Sequence, residues 1–225
     1  KCLSHFAFAT KSRFQKNTRP KGPETVSKGE AFIYGTESLS PVGCREKMPE
    51  IEYIEDRMET EELLESLSAP VRNWFKDKFP DFTEPQKIAI PRIMKGEHLL
   101  LCSPTGSGKT LTAFLSIIDD LVRKSLDGTL PDTVQCIYIS PIKALANDIQ
   151  KNLIGPLTEI KERFLPSRAK DIKVGLRTGD TPQNERQKML RKPPHILITT
   201  PESLGLGLAS KRFRPILKDL RWMII

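Results

Sequence analysis

Ser103-Pro104-Thr105-Gly106-Ser107-Gly108-Lys109-Thr110 sets two glycines, a lysine and a threonine at the spacing of a turn that holds phosphate. Glycine has no Cβ, so Gly106 and Gly108 allow the crowded or left-handed backbone that points successive N–H groups at one anion. If a helix follows directly, its positive N-terminal end adds to that field. In such a turn Lys109 brings a point charge to the β- and γ-phosphates, and the Thr110 hydroxyl takes one coordination position on Mg²⁺. Lys109 and Thr110 are therefore the candidate catalytic residues and Thr110 the candidate metal ligand. Ser103 to Thr110 as a whole is the candidate nucleotide cradle. Ser103 stands where the general pattern G-x-x-x-x-G-K-[ST] has its first glycine, so this is a variant of the motif.

Such a turn works only between a strand and a helix, and the flanking sequence supplies both. His98 to Cys102 is a short apolar run of the buried-strand kind, and Leu111 to Lys124 carries apolar residues at helical spacing. Further strands are predicted at 135–140, 172–177, 196–200 and 222–225, with helices at 143–164, 182–190 and 202–208 between them. Strands alternating with helices predict a parallel α/β sheet. Continuous apolar runs such as Cys136-Ile137-Tyr138-Ile139 predict helices on both of its faces. Three shorter helices, predicted at 60–67, 69–78 and 84–94, form a lead-in over 56–96, ahead of a sheet region over 97–225. Residues 1–55 hold Pro20, Pro23, Pro41 and Pro49 with no sustained periodicity, which predicts a disordered or loosely structured tail.

The composition narrows the partners. Lys and Arg outnumber Asp and Glu by 36 to 28, giving a net charge of +8, which suits a polyanionic partner without requiring one. No run approaches the ~18 consecutive apolar residues of a membrane span, so a cytoplasmic protein with no membrane partner is expected. Cys2, Cys44, Cys102 and Cys136 lack C-x-x-C spacing and predict reduced thiols. His5, His98 and His195 are scattered, without the clustering of a metal site. The basic group Arg186, Lys188, Arg191 and Lys192 is expected to be a solvated helix face, with phosphate contact as the lesser alternative.

Several segments, taken in order, resemble the motifs of superfamily 2 DEAD/DEAH-box helicases. Phe82-Thr83-Glu84-Pro85-Gln86 resembles the Q motif, Ser140-Pro141-Ile142-Lys143-Ala144-Leu145-Ala146 motif Ia, and Thr199-Thr200-Pro201-Glu202-Ser203-Leu204 motif Ib. Arg177-Thr178-Gly179-Asp180-Thr181 sits where these enzymes carry a strand-binding turn. The wording of these stretches is most similar to the large helicase-related (Lhr) family, over about 67–225. The resemblance implies the front part of a first RecA-like domain that binds ATP and Mg²⁺ and grips single-stranded DNA, with RNA as the alternative polymer. It implies that Gln86 reads the adenine edge and that Phe82 packs beside the base. It implies that Ser140, Pro141, Lys143, Thr178, Gly179, Thr200, Pro201 and Glu202 hold the nucleic-acid backbone.

In that family an Asp-Glu-x-His sequence follows an apolar strand like Trp222 to Ile225, and a second RecA-like domain completes the motor. The expectation is thus a truncated first motor domain, nearly inert alone. A DEAD-box-type RNA helicase fragment and a non-catalytic nucleic-acid-binding module remain the competing readings.

Overall fold

The computed structural model describes residues 56–104, 106–141 and 149–225 in full, and 4–8, 30–34 and 51–54 as strands. Three helices come first. Helix α1 (Thr60–Ser66) carries Glu61 and Glu62 in its first turn, where the helix dipole favours acids, and α2 (Ala69–Lys78) has Pro70 in its own. Helix α3 (Glu84–Lys95) opens with a reciprocal capping box between Thr83 and Gln86 and stops at Gly96, whose φ of 81° is left-handed. Pro91 lies inside α3 and cannot donate to the Lys87 carbonyl four residues back. That carbonyl accepts the Met58 N–H at 3.1 Å instead, which fastens the segment before α1 to α3.

The strands are β1 (Ser4–Phe8), β2 (Glu30–Tyr34), β3 (Ile51–Ile54), β4 (Leu99–Cys102), β5 (Cys136–Ile139), β6 (Val174–Arg177), β7 (Ile196–Thr199) and β8 (Trp222–Ile224). They make one sheet in the order β3-β2-β4-β1-β8-β5-β7-β6. From β4 to β6 every pairing is parallel, as expected, and β2 alone runs antiparallel to its neighbours. β1, β2 and β3 fall within the stretch 1–55; the rest of that stretch lies outside the described residues.

The remaining helices of the described residues are α4 (Lys109–Leu126), α5 (Gly155–Phe164), α6 (Gln183–Arg191) and α7 (Pro201–Ala209), with a 3₁₀ turn at Arg214–Leu217. A π turn, Gln150–Ile154, leads into α5: the Gly155 N–H reaches back five residues to Gln150, next to Pro156, which has no N–H to give.

Helices cover both faces of the sheet. Side chains alternate along a strand, so Ile196 and Ile198 of β7 enter one core with Phe114, Leu115 and Ile118 of α4 and Ile160 of α5. Leu197 points the other way, into a second core with Ile137, Leu204, Phe213 and Ile216. Helices α1 to α3 are not an appendage, because Leu63, Leu67, Val71, Trp74 and Ile90 are buried in the first core with α4.

His195 stands just ahead of β7 with no exposed surface. Its Nδ1 accepts the Lys173 N–H at 2.9 Å, and its Nε2 has no partner among the described residues. Burial, reinforced by Lys170 and Lys173 against the weaker pull of Asp132 and Asp171, lowers its pKa from 6.5 to about 4. The unfolded chain therefore takes up this proton first. The stabilisation is complete above about pH 6.5 and drains away as pH falls toward 4, by about 2 kcal/mol between pH 7 and 5. Urea unfolding followed through Trp74 and Trp222 should show that loss, and His195→Asn should flatten it; an equally steep profile in the variant would exclude His195 as its source.

No helix of the described residues is long and apolar enough to cross a membrane. Cys102 and Cys136 are both free, and burial raises the Cys136 thiol far above its ordinary value.

Candidate functional site

The phosphate turn lies between β4 and α4. Gly106 and Gly108 take φ of 85° and 83°, the left-handed region that the sequence spacing requires. Gly108 caps α4, so Lys109 and Thr110 sit in the first turn of an 18-residue helix whose N–H groups face the turn. The Lys109 ammonium donates to the carbonyls of Ser103 at 2.5 Å and Pro104 at 2.7 Å. These acceptors are neutral, so the charge of Lys109 is left uncompensated within the turn. Ser103 and Ser107 hydroxyls meet at 2.5 Å and close the turn at its base, a bond that a glycine at 103 could not make. Left-handed glycines, a helix N-terminus and an uncompensated lysine together fit a triphosphate. Thr105 lies outside the described residues.

The Q-motif stretch touches this turn directly. The Thr83 hydroxyl donates to the Ser107 carbonyl at 3.0 Å, and a Cβ at Gly108 would come within 2.8 Å of the Gln86 Nε2. Gln86 is 3% exposed and its Oε1 accepts the Thr83 N–H at 2.9 Å. In this geometry the Gln86 amide caps α3 and presses on the phosphate turn. Thr83 is a site residue that the sequence reading passed over, though T-x-x-Q ahead of an apolar helix is itself a capping signal. Phe82 is buried and stacks on Phe75 at 3.9 Å between centroids, which makes it a core ring; the more exposed ring nearby is Phe79.

The candidate strand-binding turns lie side by side. In register, Ile139 of β5 is level with Thr199 of β7, and Thr199 with Arg177 of β6. Ser140, Thr200 and Thr178 are therefore the first residues past three adjacent strand ends, spanning roughly 10 Å at the usual strand spacing. This is the carboxyl edge of the sheet, where open parallel sheets bind ligands.

Several of the predicted groups are already engaged by the fold there. The Ser140 N–H donates to the Thr199 carbonyl at 3.1 Å, and the Thr200 hydroxyl caps α7 by accepting the Ser203 N–H at 3.3 Å. Thr178 is buried, and its N–H donates to the Thr181 hydroxyl. Glu202 is exposed in the first turn of α7, where a backbone N–H and Thr200 hold its carboxyl below the usual range. A carboxylate in that place fills the helix terminus that a phosphate would need. Pro141, Gly179 and Pro201 are exposed, and Lys143 lies outside the described residues. Arg186 is no solvated cation: it donates to the carbonyls of Thr181 at 2.8 Å, Gly179 at 2.6 Å and Thr178 at 3.2 Å, clamping the turn.

A parallel sheet with a glycine-bent phosphate turn and adjacent ligand turns on its carboxyl edge defines a RecA-like P-loop fold. Residues 83–225 match the protein-family model described as DEAD/DEAH box helicase, and the chain belongs to that family. It is 45% identical over 180 residues to the ATP-dependent helicase Lhr-Core of Methanocaldococcus jannaschii, covering 79% of this chain and 21% of that protein. It is 51% identical over 167 residues to the Lhr-Core helicase of Sulfolobus acidocaldarius, covering 73% and 19%. Among solved structures, the Mycobacterium smegmatis helicase Lhr bound to ssDNA and AMP-PNP superposes with a TM-score of 0.61 at 44% identity, over 72% of this chain and 20% of that one. The chain thus spans about a fifth of the length of the curated relatives it matches.

Proposed function

We propose that this chain forms the ATP-gripping and strand-gripping face of an ATP-dependent helicase that moves along single-stranded DNA. The observation that carries this reading is the uncompensated Lys109 in a left-handed glycine turn, on the same sheet edge as three adjacent strand-end turns. The solved relative carrying ssDNA and AMP-PNP supports both ligands.

Bound ATP with Mg²⁺ supplies a phosphoryl group that water can accept. The backbone N–H groups of the turn and of the first turn of α4 orient the phosphates, Lys109 neutralises them, and the Thr110 hydroxyl is the candidate Mg²⁺ ligand. The Gln86 amide, beside Gly108, is our candidate for coupling adenine to the turn. Asp119, Asp120 and Asp171 are each taken by cations of the fold, Arg123, Lys124 with Arg221, and Lys161 respectively. None of these three is offered to a metal ion, and we assign hydrolysis to the parent protein as a whole.

In a full-length protein carrying this chain, AMP-PNP with Mg²⁺ should slow amide exchange over 103–110, and no protection there would overturn the nucleotide assignment. Gln86→Ala should raise the KM for ATP about ten-fold, the factor of one ordinary hydrogen bond, and erase the preference over GTP. An unchanged preference would leave Gln86 with its capping role alone.

A further inference from the structure

A cavity of about 290 Å³ lies between α2, the start of α4 and the π turn ahead of α5. That is the small end of the size range of ligand sites. Leu111, just past Thr110 in α4, lines it on one side. Its described lining includes no residue of the phosphate turn, of the Thr83–Gln86 capping box or of the three strand-end turns. The cavity is therefore separate from both candidate sites described above.

Its walls are fixed by the fold. The Trp74 indole N–H donates to Glu159 of α5 at 2.8 Å, and the Lys78 ammonium meets the same carboxylate oxygen at 3.0 Å. Phe79 is held by the rings of Phe75 and Trp74, at 5.0 and 5.8 Å between centroids. Phe79 is nevertheless 37% exposed, and among the described residues it is the only aromatic ring in the set of exposed large apolar side chains. The π turn supplies the polar side. The Gly155 N–H, which an α-helix would give to Lys151, goes to Gln150 instead, and Pro156 has no N–H to offer. The Lys151 carbonyl thus lacks both of its usual helical donors. The turn needs its glycine, because a Cβ at Gly155 would come within 3.0 Å of the Gln150 carbonyl. The Lys151 ammonium is exposed and forms no ion pair among the described residues.

We propose that this cavity binds a small planar aromatic anion, with its rings against Phe79 and its charge at the Lys151 ammonium. A cation is disfavoured, because the one acid in the lining, Glu159, is already taken by Lys78 and Trp74. With that pair neutralised, Lys151 leaves the cavity one positive charge in surplus. An aromatic ligand gains ring-to-ring contact at Phe79 that an aliphatic one cannot make. The Lys151 carbonyl offers an acceptor to a ring N–H. The ligand would tie the end of α2 to the π turn.

The experiment titrates 1-anilinonaphthalene-8-sulfonate into a full-length protein carrying this chain and follows amide exchange by mass spectrometry. Exchange should slow over 74–80 and 149–160; no protection there overturns the proposal. Lys151→Gln should raise the concentration for half-protection about ten-fold, the factor of one hydrogen bond to a charged group, and Lys151→Arg should leave it near the parent value. Phe79→Leu, which keeps an apolar filling without the ring face, should raise it about three-fold. Lys192→Gln removes an exposed charge away from the cavity and should change nothing; an effect equal to that of Lys151→Gln would reduce the result to general electrostatics and refute a site. N-phenyl-1-naphthylamine, the same rings without the sulfonate, should need about ten-fold more. Equal potency of the two compounds would sink the assignment of an anion. Saturating AMP-PNP with Mg²⁺ should leave the protection in place, whereas competitive displacement would make the cavity part of the nucleotide site and defeat the inference.

Discussion

Replacing Lys109 by alanine in a full-length protein carrying this chain is expected to lower ATP turnover by ~10²–10³-fold while leaving the fold almost untouched. The asymmetry follows from its partners. Both hydrogen bonds of the ammonium go to carbonyls of Ser103 and Pro104 at the surface of the turn, where water can replace it. No buried acid among the described residues is orphaned by its loss. On the proposed function, what disappears is the cation of the turn that would neutralise charge building on the transferred phosphoryl group. Arginine is a poor substitute, because its planar fork needs different room from a point charge. Turnover within a few-fold of the parent in Lys109→Ala would remove the basis for the nucleotide assignment.

The opposite pattern, a large loss of stability without direct damage to the turn, is expected at Asp119. This carboxylate sits on the buried side of α4 with its side chain 2% exposed. Its Oδ1 accepts the Ser68 N–H at 2.7 Å at the start of α2, and its Oδ2 accepts from Arg123 Nε at 2.8 Å. Arg123 in turn donates to the Ser66 carbonyl at 2.6 Å, so a single acid joins the link between α1 and α2 to α4. Asp119→Ala leaves a buried N–H unsatisfied and the arginine without its partner, a loss of about 3 kcal/mol. For a chain of this size the thermal midpoint should fall by on the order of 6–12 °C. Asp119→Asn keeps an acceptor for Ser68 and should lose less. Equal midpoints for all three proteins would mean that the link contributes nothing.

Local elements were legible because their causes are local. The strands β5 and β7 are continuous apolar runs, α2 starts and ends where its proline and its apolar spacing place it, and the phosphate turn is written in the spacing of Gly106, Gly108 and Lys109. What escaped depends on residues far apart in the chain. Arg186 looked like one of four solvated charges because its acceptors are carbonyls of a turn that forms only when β6 ends, and a carbonyl leaves no mark in a sequence. Phe82 was assigned to the base by resemblance alone, because the ring that covers it, Phe75, lies outside the motif, in α2. The hydroxyl of Thr200 resembled a ligand group, but the helix beginning beside it takes that acceptor first. The 3₁₀ turn carrying Ile216 has too few residues for any period to show, yet with Phe213 just ahead of it it closes the second core.

The sharing of one apolar interior by α1, α2, α3 and α4 decides how small a working piece can be. A version trimmed to begin at His98 would keep every glycine of the turn and still expose the flank of α4 that Leu63, Val71, Trp74 and Ile90 cover. It would also lose the Thr83 hydroxyl that props Ser107. The front helices therefore serve as the floor on which the turn stands, and any piece that keeps the turn in its setting must keep them.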